Sequence, residues 1–198
     1  MSTDFTMTRR TACCLLSLAM CGAALGVAAA AEELGPPIGG RAPDIGTPLD
    51  QTGKPRALAD LMGQNGLVLL FVRSADWCPY CQAQLMDINT AAPQIRRRGY
   101  NIASLSYDSP QILADFVAKR QMTFTFLSDP KSEVIDRYGL RDPQYRPGSR
   151  AYGVPRPVIF VLDRNGIIRT KLYEESYRVR PPATLVIEKL DQLAAARS

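Results

Sequence analysis

The chain has 198 residues, with 24 Lys and Arg against 19 Asp and Glu, a net charge of +5 and no histidine. So small a basic surplus does not call for nucleic acid. The absence of histidine excludes a mixed cysteine–histidine zinc site, a histidine copper ligand and a cysteine–histidine protease. The length suits one well-packed domain better than two.

Residues 1–31 read as an export signal. Arg9 and Arg10 precede an apolar stretch from Ala12 to Ala31 that ends in a run of alanines suited to cleavage. The adjacent arginines hint at twin-arginine export. Leu18-Ala19-Met20-Cys21 resembles a lipoprotein box, but Met20 is large for the residue before a lipidated cysteine, so cleaved secretion is preferred to a lipid anchor. A periplasmic or otherwise exported location follows, with membrane contact only if the signal is retained or lipidated. The stretch is rich in Ala and Gly and short for a span. Cleavage removes Cys13, Cys14 and Cys21, together with Arg9, Arg10 and Asp4, leaving a charge of +4 and only Cys78 and Cys81. The compartment would permit a disulfide between them.

Residues 32–41, rich in Gly and Pro, read as a flexible tether, and residues 42–198 as the folded domain. Residues 42–61 suggest an N-terminal hairpin around Gly53-Lys54-Pro55. Leu67–Arg73 is a buried strand. A helix runs from Pro79 through Leu85 and Ile88, kinks or restarts at Pro93 and stops at Gly99. Tyr100–Tyr107 is a second strand. Asp108-Ser109-Pro110 caps a helix whose inner face is Ile112, Leu113, Phe116 and Val117. Phe124–Ser128 is a strand, and Asp129-Pro130 opens a short helix with Val134, Ile135 and Tyr138 inward. Pro157–Asp163 and Ile167–Tyr173 form a hairpin across Arg164-Asn165-Gly166. A last helix carries Ala183, Val186, Ile187, Leu190, Leu193 and Ala194 on one face. Such alternation predicts an α/β fold, a central mixed sheet flanked by helices with the N-terminal hairpin as an extension.

Trp77-Cys78-Pro79-Tyr80-Cys81 carries the chemistry. Two cysteines three apart, at the junction of an apolar strand and a helix, are the layout of a redox-active dithiol. Cys78 at the helix N-terminus meets backbone N–H groups and the positive end of the dipole, which favours its thiolate. Cys81, one turn on, is within reach of a mixed disulfide at Cys78. Pro79 occupies the first helical position, where its missing N–H costs nothing. As a mere staple the pair would be weak, since a four-residue ring stabilises by only about 2 kcal/mol. Two cysteines alone close no metal site, and Gln82 after Cys81 breaks the haem-attachment signature. No metal or other cofactor is implied.

Together these residues resemble the thioredoxin superfamily, in its peroxiredoxin-like redoxin branch of AhpC/TSA type, over roughly residues 39–195. Ala42-Pro43-Asp44 is similar to the family's opening motif, and Leu127-Ser128-Asp129-Pro130 to the segment before its short helix. The resemblance implies a thioredoxin fold and a cis-proline facing the dithiol, for which Pro157, six residues before Asp163, is the candidate and Pro155 the competitor. Arg156 would then bring positive charge near Cys78. Trp77, Pro79 and Tyr80 would complete a substrate groove with Arg156 and Pro157. Thioredoxins hold an aspartate six residues before the first cysteine. Val72 stands there, so Asp76 becomes the candidate proton acceptor for Cys81. Peroxiredoxins carry a proline and a threonine or serine where Phe71 and Ala75 stand, and an arginine at the Pro157 offset.

Three functions follow. The first is thiol–disulfide exchange by Cys78 and Cys81 on a protein or small-molecule substrate, partnered by an electron-donor thiol protein. The second is a thiol peroxidase, an antioxidant activity with Cys78 peroxidatic and Cys81 resolving. The third is a non-catalytic binding module with a structural disulfide.

Overall fold

The computed structural model describes residues 33–196. The stretch read as an export signal, with its cysteines, lies outside them. Gly66–Phe71 (β2) is buried at all six positions and lies between Tyr100–Ser106 (β3) and Val158–Asp163 (β5), parallel to the first and antiparallel to the second. With Leu49–Asp50 (β1), Thr125–Ser128 (β4) and Ile168–Leu172 (β6) they form one six-stranded mixed sheet, in the order β1-β4-β3-β2-β5-β6. A strand with neighbours on both sides and helices on both faces has no wet side, which is why β2 reads as an unbroken apolar run.

Alternation along β2 and β5 feeds two cores. Val68, Leu70, Ile159 and Val161 face one cluster with Leu85, Ile88, Val186 and Leu190 from Pro79–Arg97 (α2) and Ala183–Ala195 (α5). Leu113 and Phe116 of Pro110–Arg120 (α3) join that cluster. Leu67, Leu69, Phe71 and Phe160 face the other, with Leu61 of Leu58–Leu61 (α1) and Val134 and Ile135 of Glu133–Arg137 (α4). At Gly66 the backbone of β5 passes so near that a Cβ would sit 1.9 Å from the Leu162 carbonyl oxygen, so only glycine fits.

Several expectations need correction. Residues 33–41 are not a loose tether: Leu34 is buried, Arg41 bridges Ile167, and the Gly39 and Ala42 amides donate to Ile168 and Gly166. The edge of β6 needed hydrogen-bond partners, and this segment supplies them. Helix α2 runs unbroken through Pro93, its neighbours carried across by the apolar stripe of Ile88, Ala92 and Ile95. Asp129 lies four residues ahead of α4, yet its carboxylate accepts from the amides of Glu133, Val134 and Ile135. Ile112 is exposed, leaving Leu113 and Phe116 as the buried face of α3. No described helix is long and apolar enough to cross a membrane.

Candidate active site

β2 ends at Phe71, and the chain reaches α2 through Val72–Trp77. A polar knot fixes that loop. Asp108, just beyond β3 and therefore beside the end of β2, is buried and accepts from the Ala75 amide at 2.7 Å and from the Ser74 and Ser106 hydroxyls, both at 2.8 Å. Ser74 Oγ in turn accepts from the Asp76 and Trp77 amides. Gln82 ties the loop to the helix by donating to the Ala75 and Asp76 carbonyls. Burial outweighs these hydrogen bonds and pushes the Asp108 carboxyl above its ordinary value.

The loop delivers Cys78 to the N-cap of α2, with Pro79 at the first helical position. Cys78 Sγ accepts from the Cys81 amide at 3.3 Å, so the first sulfur does meet a first-turn N–H that has no partner within the helix. Cys78 and Cys81 form a disulfide, with Cα atoms 5.3 Å apart, and both are buried.

One cation stands at this disulfide and a second stands beside that cation, and the sequence singled out neither. Arg180, in the segment between β6 and α5, places Nη2 3.3 Å from Cys81 Sγ and 4.0 Å from Cys78 Sγ. Burial, and secondly the charge of Arg73, bring its guanidinium down to about 10. Arg73, read from sequence as the end of a strand, is buried in an aromatic cage. Its guanidinium carbon lies 4.0 Å from the Tyr177 ring centroid, 5.0 Å from Tyr145 and 5.3 Å from Trp77. The cue for Arg180 was slight: an arginine held before a helix by Pro181 and Pro182.

The predicted groove forms only in part. Trp77 is half-buried, donates from Nε1 to the Tyr107 hydroxyl at 2.8 Å and flanks Arg73. Tyr80 is exposed and meets Tyr177 edge-on at 6.0 Å. The cis-proline is overturned, because the described residues contain no cis peptide bond and Pro157 is trans. Arg156 is exposed, and its amide donates to the Leu140 carbonyl. Pro155 forms an isolated bridge with Arg141. The chain enters β5 as an ordinary extended segment, so Pro157 offers no platform of the kind proposed. Asp76 is half-exposed and pairs with Arg150 at 2.8 Å, whereas Cys81 is fully buried. The carboxylate is thus committed to a surface partner. Among the described residues no group of three or more His, Cys, Asp or Glu is arranged to hold a metal.

A dithiol at the N-terminus of the helix after the central strand of a thioredoxin-like sheet defines a thiol-dependent oxidoreductase. The AhpC/TSA family profile matches residues 38–171, and the chain belongs to that family. Peroxiredoxin Bcp of Escherichia coli (strain K12) is 28% identical over 127 residues, covering 64% of this chain and 79% of that protein. Among solved structures, peroxidoxin BcpB from Mycobacterium tuberculosis superposes with a TM-score of 0.67 at 24% identity, covering 81% of this chain and 98% of that one. Enterococcus faecalis AhpC gives a TM-score of 0.69 at 16% identity, covering 81% of this chain and 93% of that one. These superpositions establish the fold.

Proposed function

We propose that the protein is a thiol-dependent peroxidase in which Cys78 attacks peroxide and Cys81 resolves the product. The observation that carries this reading is the Arg180 guanidinium at the two sulfurs. It supplies a cation that spacing alone would have sought at the Pro157 offset. The resemblance to peroxiredoxins supports the same reading. The trans peptide at Pro157 removes the backbone platform on which the disulfide-exchange reading leaned.

The electron balance is simple. Cys78 thiolate attacks one peroxide oxygen, the O–O bond breaks, and the alkoxide or hydroxide leaves and takes a proton. Cys78 is now a sulfenic acid. Cys81 thiolate attacks that sulfur and expels hydroxide, which leaves as water, and the disulfide forms. With Cα atoms 5.3 Å apart, this step fits ordinary disulfide geometry without unwinding α2. An external thiol donor returns two electrons. In the reduced state the helix N-terminus and Arg180 both favour the Cys78 thiolate. The N-terminal sequence supports an exported setting for this chemistry.

Trp77 adjoins Cys78 and is the only tryptophan, so its fluorescence reports oxidation. Stopped-flow mixing of the reduced protein with hydrogen peroxide should give bimolecular oxidation far faster than a free thiol, and none in Cys78→Ser. Sluggish oxidation by peroxide with rapid oxidation by a small disulfide would replace the peroxidase with dithiol exchange, a reading favoured by Phe71 and Ala75 at the family's proline and threonine places. If Cys78→Ser retained full biological function, a non-catalytic binding role would stand instead.

A further inference from the structure

Arg73 and Arg180 are two neighbouring cations without a counter-ion among the described residues. Arg73 is only 3% exposed. Its Nη2 donates to the Tyr145 hydroxyl, while Nε and Nη1 make no hydrogen bond, and the buried Nε of Arg180 makes none either. The charged or ionisable neighbours that act on Arg180 are Arg73 and Tyr177, not a carboxylate. The nearby acids are engaged elsewhere: Asp76 with Arg150, Asp87 with the Ala183 amide, and Asp108 with Ser74, Ala75 and Ser106.

Buried guanidinium groups with unpaired N–H are costly unless an anion meets them. In the reduced protein the Cys78 thiolate supplies one negative charge at this point. Once the disulfide forms, the sulfurs are neutral and both cations are left unmatched. The demand for an anion therefore belongs to the oxidised protein, and the substrate that the oxidised protein must meet is its reductant. A cleft of about 250 Å³ lies alongside, lined by Tyr80, Gln84, Arg178, Arg180, Pro181 and Asp87, whose carboxylate accepts from the Ala183 amide. It suits a small molecule, and Arg180 both lines it and reaches the sulfurs.

We propose that Arg73 and Arg180 form an anion subsite of the oxidised protein, which seats a carboxylate carried by a small thiol reductant. This rests on the reading that Cys78 and Cys81 turn over, and not on peroxide being the oxidant. The donor thiolate attacks Cys78 Sγ, the S–S bond breaks, and Cys81 leaves as a thiolate beside Arg180. A second donor thiolate attacks the donor sulfur of the mixed disulfide. It releases Cys78 as a thiolate and leaves as the donor disulfide, so the two electrons come from two donor thiols.

The test compares 3-mercaptopropionate with 3-mercaptopropionamide as reductants of the oxidised full-length protein, followed by Trp77 fluorescence at low ionic strength. Each rate is divided by the same thiol's rate with bis(2-hydroxyethyl) disulfide, which removes differences in intrinsic nucleophilicity. The carboxylate should gain about tenfold or more, the scale of one charge-assisted contact. The gain should collapse in Arg73→Gln and largely survive in Arg73→Lys. In the wild type, added propionate should slow the carboxylate thiol and spare the amide, which keeps the test independent of how the variants fold. A normalised ratio within twofold of unity, or no competition by propionate, overturns the subsite. If neither thiol reduces the disulfide, the turnover reading fails, and calorimetric titration of propionate into the oxidised protein decides. Saturable binding, weaker after chemical reduction, upholds the subsite, and no binding refutes it.

Discussion

Replacing Arg180 with methionine tests the electrostatic core of the proposed mechanism. Methionine keeps much of the apolar stem and removes the charge. A unit charge 4.0 Å from Cys78 Sγ, the separation seen to Nη2, stabilises a thiolate there by about 4 kcal/mol at an effective dielectric of about 20. Arg180 is not fully enclosed, and solvent screening and the surviving helix N-terminus offset part of that, leaving about 1–2 kcal/mol. That range corresponds to roughly 5–30-fold in an equilibrium. Arg180→Met should therefore lower the rate of oxidation by peroxide near pH 7 by about that factor, and move the pH midpoint of the thiolate absorbance of reduced Cys78 upward. The slow rate should recover at alkaline pH, where the thiolate forms without help. Arg180→Lys should restore part of the rate, because it returns charge without the guanidinium fork. The assay is stopped-flow oxidation across a pH series, with circular dichroism to show that each variant is folded. A folded Arg180→Met that matches the wild type within twofold at every pH would refute the argument.

Asp108→Ala should cost about 1–3 kcal/mol in urea unfolding, since the serine hydroxyls can turn to new partners but the Ala75 amide is left stranded; a loss under about 0.5 kcal/mol, within the scatter of ordinary surface changes, would remove the knot from the account. Asp108 also sets a pH dependence. Its folded carboxyl lies above its ordinary value of 3.8 because of burial, so its contribution to stability is fullest below that value and declines as the pH rises through the folded titration. The stability of wild type relative to Asp108→Asn should fall over that window, and urea midpoints from pH 3 upward would contradict the sign if the difference rose instead. Cys81→Ser should consume one equivalent of peroxide and halt at the Cys78 sulfenic acid, trapped by dimedone and weighed by mass spectrometry. Continued turnover with the same donor would deny Cys81 the resolving role.

The fold was legible wherever one stretch of chain carries its own signal. The six buried residues of β2, the Arg164-Asn165-Gly166 turn, and proline after Cys78 and after Ser109 each state a local preference, and the sheet assembles from them. Segment 33–41 was misread for the same reason, since Gly and Pro announce irregular backbone but not whether a strand edge holds it. Pro93 announces a break, yet Ile88, Ala92 and Ile95 bury a continuous stripe, and packing overrides the local cost.

The candidate site divides along the same line. Cys78, Pro79 and Cys81 were legible because capping and ring closure are short-range demands, met within one turn of helix. A cation beside a thiolate is a demand on space and not on spacing. Any element that the topology brings to the C-terminal end of β2 can supply the guanidinium, and here it arrives from residue 180, 102 positions beyond Cys78. Arg73 shows the complementary case: its sequence position beside β2 was plain, but its lack of a carboxylate partner among the described residues emerges only when Trp77, Tyr145 and Tyr177 close around it. Rings tolerate a cation without neutralising it. An arginine caged in this way keeps its charge, and a carboxylate in the cage would have spent it.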